Sequence, residues 1–335
     1  MKKTMMVAFL ALATLASASA QVTSFGSFTS SSTSGSQFHL GGTSEREGVG
    51  SVVLNDQLYV AYTGSNGTEY LTSATTGVGY SLLAGTQVQI NGGTFASDNN
   101  PALATDGTYL FLAYMDTSGH FNLLRSPANP YGTTFTWTAV GTFDPPSESF
   151  IYSPSLAVMS VGGVSTLFMS GVGSDRSLWL GQYPIGGSWT SASWTNTTGT
   201  DIGMSPGLGV FNGTLYIAFP TNGNSHDIYY YTTTGNGVLT YNTGADGDSS
   251  STSISVLAYQ GYLYFAFRTN DGDHKFIIKH SSNGTSWSGS KSFSDAMAGP
   301  PSLADGTTLT GDPGHLICNY VGNNSSYYLF GGESD

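Results

Sequence analysis

Short apolar runs recur along the chain at intervals of roughly 50 residues, a spacing typical of propeller blades. They combine large and small apolar residues without polar alternation, which indicates strands buried on both faces. The runs lie at 58–62, 110–114, 167–170, 215–219, 263–267 and 316–320. A run of small residues precedes them, as at 154–157 and 301–304. Turn residues such as Asn55-Asp56, Asp106-Gly107 and Asn212-Gly213 separate the paired runs and favour tight hairpins.

A third strand is predicted after each pair, for example at 121–125, 228–231 and 275–280, and a fourth near Trp137, Trp189 or Trp194, and Trp287. Each repeat therefore predicts a four-stranded antiparallel meander. Meanders repeated in this way predict an all-β fold, a six-bladed β-propeller of four-stranded antiparallel blades. The last repeat ends after its third strand, at 327–330. We expect a strand from within 25–40 to complete that blade and close the ring.

The N-terminus has the features of a secretory signal peptide. Lys2 and Lys3 precede an apolar run from Met5 to about Leu15, and small residues stand before Gln21. The run is too short to span a bilayer, and no later segment reaches the required length. The predicted organisation is a signal peptide at 1–20, an N-terminal segment with the closing strand at 21–46, and the propeller at 47–335. We expect a secreted, periplasmic or cell-surface protein.

The composition excludes several classes of protein. Only 9% of the residues are charged, against about 25% in a typical soluble protein. The formal net charge is −12 with 9 Lys and Arg residues, too few to neutralise a run of nucleic-acid phosphates. The 39% apolar and 13% aromatic content supports a packed core and excludes disorder. Cys318 is the single cysteine and lies in an apolar run, so a buried thiol is expected.

Most acidic residues fall on one face of the predicted propeller. This face, called the loop face, consists of the turns between second and third strands and the linkers between blades. It includes Asp98, Asp116, Asp271 and Asp273. Because binding residues are concentrated in loops held by a rigid scaffold, we expect the ligand site on the loop face.

Two segments carry a resemblance to known propellers. Residues 281–287, Ser-Ser-Asn-Gly-Thr-Ser-Trp, resemble a shortened Asp-box, the hairpin motif of sialidase blades, with Asn in place of Asp. Residues 263–268, followed by Asp271-Gly272-Asp273-His274, resemble the strand–loop–strand unit of fucose-specific-lectin-like repeats. The chain thus resembles secreted propellers of the sialidase-like and fucose-specific-lectin-like types. The resemblance implies a lectin-like protein whose partner is a glycan or polysaccharide.

Two alternatives to a lectin stay open. The first is a sialidase-like exo-glycosidase, which is a glycoside hydrolase. The second is a surface adhesion or structural protein without a small-molecule site, because one fold hosts many functions.

Three arginines are candidate catalytic residues. Arg46, Arg176 and Arg268 come from the first, third and fifth repeats. The resemblance to sialidases implies that they could converge and clamp a carboxylate. Surface ion pairing is the alternative, with the neighbouring acids Glu45, Glu47 and Asp175.

Acids in adjacent loops are a second catalytic candidate. Asp98 and Asp116, with Asp144 and Glu148, could form a carboxylate pair for glycoside hydrolysis. The alternative is that they are ordinary solvated loop acids.

Candidate ligand-binding residues recur near the start of third strands. His120, His226 and His274 occupy comparable positions there, as a multivalent lectin would show. Asp271, Asp273 and Arg268 complete the candidate set. The turn at 270–273 is rich in oxygen ligands, so calcium is a weak candidate, but it lacks the spacing and the bidentate Glu of a calcium loop. No metal site and no other cofactor are expected.

Overall fold

The strands assemble into four-stranded antiparallel sheets, the blades of a β-propeller. The structure is a computed structural model that describes residues 29–30, 48–63, 69–75, 88–90, 99–127, 135–143, 149–187, 193–244, 248–309, 314–322 and 329–334. An all-β propeller with four-stranded antiparallel blades is thus confirmed. The predicted signal peptide lies outside the described residues. Within them, no helix is long and apolar enough to cross a membrane.

Five blades are each built from four consecutive strands of the described chain. After β1 (Thr29–Ser30), blade one contains β2 (Val49–Leu54), β3 (Gln57–Thr63), β4 (Glu69–Thr75) and β5 (Val88–Gln89). Blade two contains β6 (Ala102–Thr105), β7 (Tyr109–Met115), β8 (Phe121–Pro127) and β9 (Thr138–Phe143). Blade three contains β10 (Ser155–Val161), β11 (Val164–Val172), β12 (Leu178–Pro184) and β13 (Ser193–Thr197). Blade four contains β14 (Gly207–Phe211), β15 (Thr214–Pro220), β16 (Ile228–Thr233) and β17 (Thr240–Asn242). Blade five contains β18 (Ser255–Tyr259), β19 (Tyr262–Arg268), β20 (Lys275–Ser281) and β21 (Lys291–Ala296).

The remaining strands form the C-terminal sheet, with β22 (Ser302–Asp305), β23 (Leu316–Val321) and β24 (Leu329–Glu333). Because only these three strands follow β21, five blades rather than six are continuous in sequence among the described residues. The fourth position of this sheet is taken by β1, which pairs with β24, Thr29 opposite Gly331 and Ser30 opposite Phe330. The rest of the predicted closing segment at 25–40 lies outside the described residues.

The second strand of each blade is buried on both sides, which explains its uninterrupted apolar sequence. In β3, Leu58, Val60 and Tyr62 pack against the C-terminal sheet. Tyr59 and Ala61, which point to the opposite side, pack against blade two. Similar apolar clusters lie between all the other neighbouring sheets. Cys318 is fully buried on β23, as predicted.

The inner strands of neighbouring sheets lie close together around the propeller axis. Serine hydroxyls bond across some of these boundaries to the main chain of the next sheet. Ser155 Oγ accepts from Leu208 N at 3.2 Å, and Ser255 Oγ accepts from Leu303 N at 3.0 Å. The same contact joins the C-terminal sheet to blade one, where Ser302 Oγ accepts from the amide of Ser51 at 2.9 Å. Small inner-strand residues are therefore required by the narrow axis.

Four linkers, which join blade two to three, three to four, four to five, and five to the C-terminal sheet, are each fixed by a pair of main-chain hydrogen bonds, here called a linker clip. In the first bond, a linker N–H donates to a carbonyl in the turn between the second and third strands of the preceding blade. In the second bond, the N–H of the next linker residue donates to the carbonyl of the last residue of the second strand in the following sheet. The first bonds are Phe150 to Gly119 (3.0 Å), Ile202 to Arg176 (3.2 Å), Ser250 to His226 (3.1 Å) and Met297 to His274 (3.0 Å). The second bonds are Ile151 to Val172 (3.0 Å), Gly203 to Pro220 (2.8 Å), Ser251 to Arg268 (3.4 Å) and Ala298 to Val321 (2.8 Å).

All four turn residues that accept the first bond of a clip have left-handed backbone conformations. Their φ angles are 82° at Gly119, 62° at Arg176, 48° at His226 and 53° at His274. This conformation is unfavourable for residues with a Cβ atom. The repeated geometry therefore shows that the linker clip, rather than the side chain, sets the backbone at these turns.

The segment resembling a shortened Asp-box forms a compact hairpin at the end of β20. Asn283 Oδ1 accepts from the amides of Thr285 and Ser286 at 2.9 and 2.8 Å. Ser281 Oγ accepts from Gly284 N at 2.8 Å. Trp287 then packs against Phe265, with ring centroids 4.0 Å apart. The motif therefore orders the outer edge of blade five through its side-chain amide.

Candidate functional site

The propeller axis encloses a channel that carries hydroxyl and amide groups. Its volume is about 330 Å³, and the inner strands β2, β6, β10, β14, β18 and β22 line it. Toward the loop face its lining includes Asn100, Ser153, Ser205 and Ser253. Among the described residues, no ionisable side chain lines this channel. The channel therefore offers neutral polar contacts.

The two described candidate arginines bind main-chain carbonyls of neighbouring linkers. Arg268 is only 2% exposed and donates to Met297 O at 3.3 Å, Ala298 O at 2.7 Å and Ser251 Oγ at 3.0 Å. Arg176 donates from Nη1 to Tyr152 Oη at 3.0 Å and to Ile202 O at 3.2 Å.

Both arginine side chains thus reinforce the linker clips, and neither lines the axial channel. Arg46, the third member of the predicted clamp, lies outside the described residues.

Asp116 is held in a turn on the loop face. Its carboxylate accepts from Ser118 N at 2.9 Å, His120 N at 3.0 Å and Asn122 Nδ2 at 3.2 Å. Partial burial acts to raise the pKa of Asp116, but these hydrogen bonds outweigh it and lower the pKa below its ordinary value. The carboxylate stays ionised at neutral pH and orders its own turn. Asp98, Asp144 and Glu148 lie outside the described residues.

The three candidate histidines do not share one structural position. His226 and His274 are the left-handed residues of their turns, whereas His120 follows the left-handed Gly119. Nδ1 of His120 lies 3.4 Å from Asp116 Oδ2. Nδ1–H of His226 donates to Thr221 O at 3.2 Å, which fixes its tautomer because a carbonyl only accepts. The structure thus places His226 and His274, but not His120, at equivalent positions of neighbouring blades.

The oxygen-rich turn at 270–273 is stabilised by its own side chains. Asp271 Oδ1 accepts from Thr269 Oγ1 at 2.5 Å, from Asp273 N at 3.1 Å and from His274 N at 3.2 Å. The Thr269 hydroxyl is the main cause of a lowered pKa at Asp271. Asp273 pairs with Lys275 at 2.6 Å. Both acids are exposed on the loop face.

A cavity that the sequence reasoning missed lies between blades three and four. It has a volume of about 360 Å³ and is called the tyrosine pocket. Its lining is Thr198, Gly199, Thr200, Asp201, Phe219, Thr221, Tyr229, Tyr231 and Tyr241. Thr198–Asp201 belong to the linker that follows blade three, and the aromatic residues come from β15, β16 and β17. The pocket therefore joins a polar linker to an aromatic wall.

The tyrosine rings stand at steep angles to one another. The Tyr241 ring lies 5.7 Å from that of Tyr229 at 66° and 5.2 Å from that of Tyr231 at 55°. Tyr241 is 46% exposed, so it is open to a ligand. Desolvation, and then the neighbouring Tyr229 and Tyr231, raise the pKa of Tyr241, which keeps the phenol neutral. The walls are thus apolar faces with hydroxyl edges.

The alternation of strand residues explains how the tyrosines meet. Tyr229 and Tyr231 are two residues apart on β16 and share one face, whereas Tyr230 packs on the other side toward blade five. Tyr241 is the cross-strand partner of Tyr231 on β17. The run Tyr229-Tyr230-Tyr231 was the available sequence signal, but the pairing with Tyr241 needed the strand register.

The fold defines the chain as a β-propeller of four-stranded antiparallel blades, and solved structures share this fold. The SapL1 lectin in complex with α-methyl fucoside is 12% identical, with a TM-score of 0.62 over 87% of this chain and 94% of that one. AofleA from Arthrobotrys oligospora is 11% identical, with a TM-score of 0.62 over 88% and 84%. A Hadza microbial sialidase is 15% identical, with a TM-score of 0.61 over 85% and 65%.

No protein-family model and no curated protein matches the sequence. The resemblance in fold to lectin and sialidase propellers is therefore carried by the structure.

Proposed function

We propose that the protein is a secreted, lectin-like propeller that binds carbohydrate on its loop face, in the tyrosine pocket. The observation that carries the proposal is the meeting of Tyr229, Tyr231 and Tyr241 with Asp201 in one open cavity. Pyranose rings present apolar C–H faces that pack on aromatic rings, and hydroxyls that bond to carboxylate and threonine oxygens. The lining supplies both kinds of contact.

The proposal favours binding over hydrolysis. Among the described residues, the axial channel has no carboxylate or arginine in its lining. Arg176 and Arg268 are engaged with main-chain carbonyls. Retention of a sugar needs only complementary contacts. Most glycoside hydrolysis needs two placed carboxylates, and the sialidase-like alternative needs arginines that are open to a substrate carboxylate.

A glycan array followed by calorimetry tests this function. We expect saccharide binding by the wild-type protein and its loss in Tyr241→Ala, because the exposed stacking surface is removed. Tyr241→Phe should retain most of the affinity, and Val238→Ala, a change at an exposed residue of blade four outside the pocket, should retain all of it. Absence of binding to every saccharide would contradict the proposed function.

We further propose that the C-terminal sheet is the sixth blade and that the N-terminal segment closes the ring. Pairing of β1 with β24 and the Ser302–Ser51 contact support this arrangement. Deleting 21–40 from the mature protein should lower the unfolding temperature, because the outer strand of the last blade is lost. An unchanged unfolding temperature would contradict closure. Secretion by a signal peptide predicts Gln21 as the first residue of the exported protein, which N-terminal sequencing checks.

A further inference from the structure

The tyrosine pocket combines aromatic walls with a single carboxylate. Asp201 is the one acid in its lining, and no Lys, Arg or His is part of that lining among the described residues. Asp201 is exposed, so its carboxylate is available to a ligand from solvent. An anionic ligand would meet this charge with no cation in the lining to offset it. The one charged group in the described lining is therefore an anion.

Steeply inclined tyrosine rings also suit a cation. Tyr241 is inclined at 66° to Tyr229 and at 55° to Tyr231, and it is the exposed ring, whereas Tyr231 is buried and stacked on Phe219. The negative face of an aromatic ring attracts an ammonium group, and a nearby carboxylate adds to that attraction. The formal net charge of −12 adds long-range attraction for cationic ligands.

The hydroxyl groups of the pocket are oriented by one another. Thr200 Oγ1 lies 3.0 Å from Thr197 Oγ1 and donates to it. Tyr231 Oη, 2.7 Å from Thr200, then donates its own proton to Thr200. The Tyr231 oxygen is left with lone pairs to accept, as is the Asp201 carboxylate. These acceptors match an ammonium group, which only donates.

We propose that the tyrosine pocket selects saccharides with a free, protonated amine, such as hexosamine units, over neutral sugars, and disfavours acidic sugars. This inference rests on the proposed carbohydrate function and adds the charge of the ligand to it. The amine is placed against the tyrosine faces and Asp201, while the sugar ring stacks on Tyr241.

The test compares matched monosaccharides by calorimetry in mildly acidic, low-salt buffer. The methyl glycosides of glucosamine, glucose, N-acetylglucosamine and glucuronic acid differ at few positions. We expect the amine to bind about ten-fold more tightly than glucose, the combined effect of a cation–π contact and a solvent-exposed ion pair. Glucuronic acid should bind most weakly. Added salt should reduce both the preference for the amine and the discrimination against glucuronic acid, while the affinity for glucose stays unchanged.

Two acid variants separate the pocket charge from the overall charge. Asp201→Asn should bring glucosamine to within about two-fold of glucose while the affinity for glucose stays unchanged. Asp227→Asn is the matched control, because Asp227 lies outside the pocket lining, where its carboxylate accepts from the Ser225 hydroxyl. This variant loses the same charge from blade four and should keep the preference for glucosamine over glucose.

The outcomes distinguish the two proposals. Equal affinity for glucose and glucosamine, or a preference that survives in Asp201→Asn, overturns the charge selectivity and leaves the carbohydrate function standing. Failure of all four glycosides to bind, together with an empty glycan array, overturns both.

Discussion

Arg268 shows how one buried cation can serve the architecture. Arg268 is 2% exposed, and its guanidinium donates to the carbonyls of Met297 and Ala298, the two residues of a linker clip. The motif-like position of this arginine at the end of β19 suggested a role in ligand binding. Its contacts assign it to the boundary between blade five and the C-terminal sheet.

Arg268→Ala should lower the free energy of unfolding by about 3 kcal/mol, because buried carbonyls lose their donor. Arg125→Ala is the matched control, since the Arg125 guanidinium lies over the Tyr109 ring, 5.3 Å from its centroid. This substitution should lower the free energy of unfolding by about 1 kcal/mol or less. Chemical denaturation measures both. Equal effects would show that Arg268 has no special structural role.

The Asn283 side chain offers a gain in stability. Its Oδ1 already accepts from two backbone amides and from the Thr285 hydroxyl at 3.1 Å. Asn283→Asp should raise the free energy of unfolding by about 1 kcal/mol at neutral pH, because a carboxylate is the stronger acceptor. Asn224→Asp, at an exposed residue of blade four, controls for the added charge. A loss of stability specific to Asn283→Asp would contradict this account.

His280 makes stability depend on pH. Desolvation lowers the pKa of His280 below its ordinary value of 6.5, and Ser288 Oγ lies 2.9 Å from Nδ1. The unfolded chain therefore binds the proton more readily than the folded one. The stabilisation of the folded state by neutral His280 is fully present above about pH 6.5. It is lost as the pH falls through the lower pKa that His280 has in the folded state.

Denaturation curves across this pH range should show a shallower decline in His280→Gln than in the wild type. Identical slopes would remove His280 as the cause.

Residue positions were the least predictable level from sequence. His120, His226 and His274 look equivalent in sequence, because all three lie close to the start of a third strand. The left-handed turn position, however, falls on His226 and His274 but on Gly119 rather than His120. Similarly, Tyr241 reaches the pocket through cross-strand pairing with Tyr231. Neither relation is local in sequence, so neither follows from spacing alone.

The positions of the strands were far more predictable, because strands buried on both sides have uninterrupted apolar sequences. The apolar runs at 58–62 and 215–219 lie within β3 and β15, and the third strands at 121–125 and 275–280 lie within β8 and β20. Outer strands were harder to locate. Trp137 and Trp287 precede β9 and β21 rather than forming part of them, because these strands face solvent on their outer edge and carry a weaker pattern.

The inner strands set a strict size limit. A Cβ atom at Gly207 would overlap the carbonyl oxygen of Ile254, the residue that precedes β18 of the neighbouring blade. Gly207→Ala should therefore destabilise the protein by about 3 kcal/mol, since backbone must move to make room. Gly289→Ala, where a Cβ atom meets nothing within 4 Å, should change stability by less than about 0.5 kcal/mol. Thermal unfolding of the pair measures the difference, and tolerance at Gly207 would contradict the close packing.

At the scale of the whole molecule, the repeat predicted a propeller correctly but left its boundary incomplete. The C-terminal sheet has only three consecutive strands among the described residues, and its partner β1 is separated from it by most of the chain. A two-residue strand has too short a pattern to be recognised from sequence. The axial channel and the tyrosine pocket also belong to this scale, because each is lined by more than one element.

The linker clips also bear on how much change in sequence the fold tolerates. The bonds that fasten successive blades use main-chain N–H and C=O groups, so most substitutions in the linkers leave them intact. The blades can then stay joined when most side chains are changed, and propellers that are only 11% and 15% identical share the fold of this chain. Bonds between main-chain groups thus allow one architecture to be built from very different side chains.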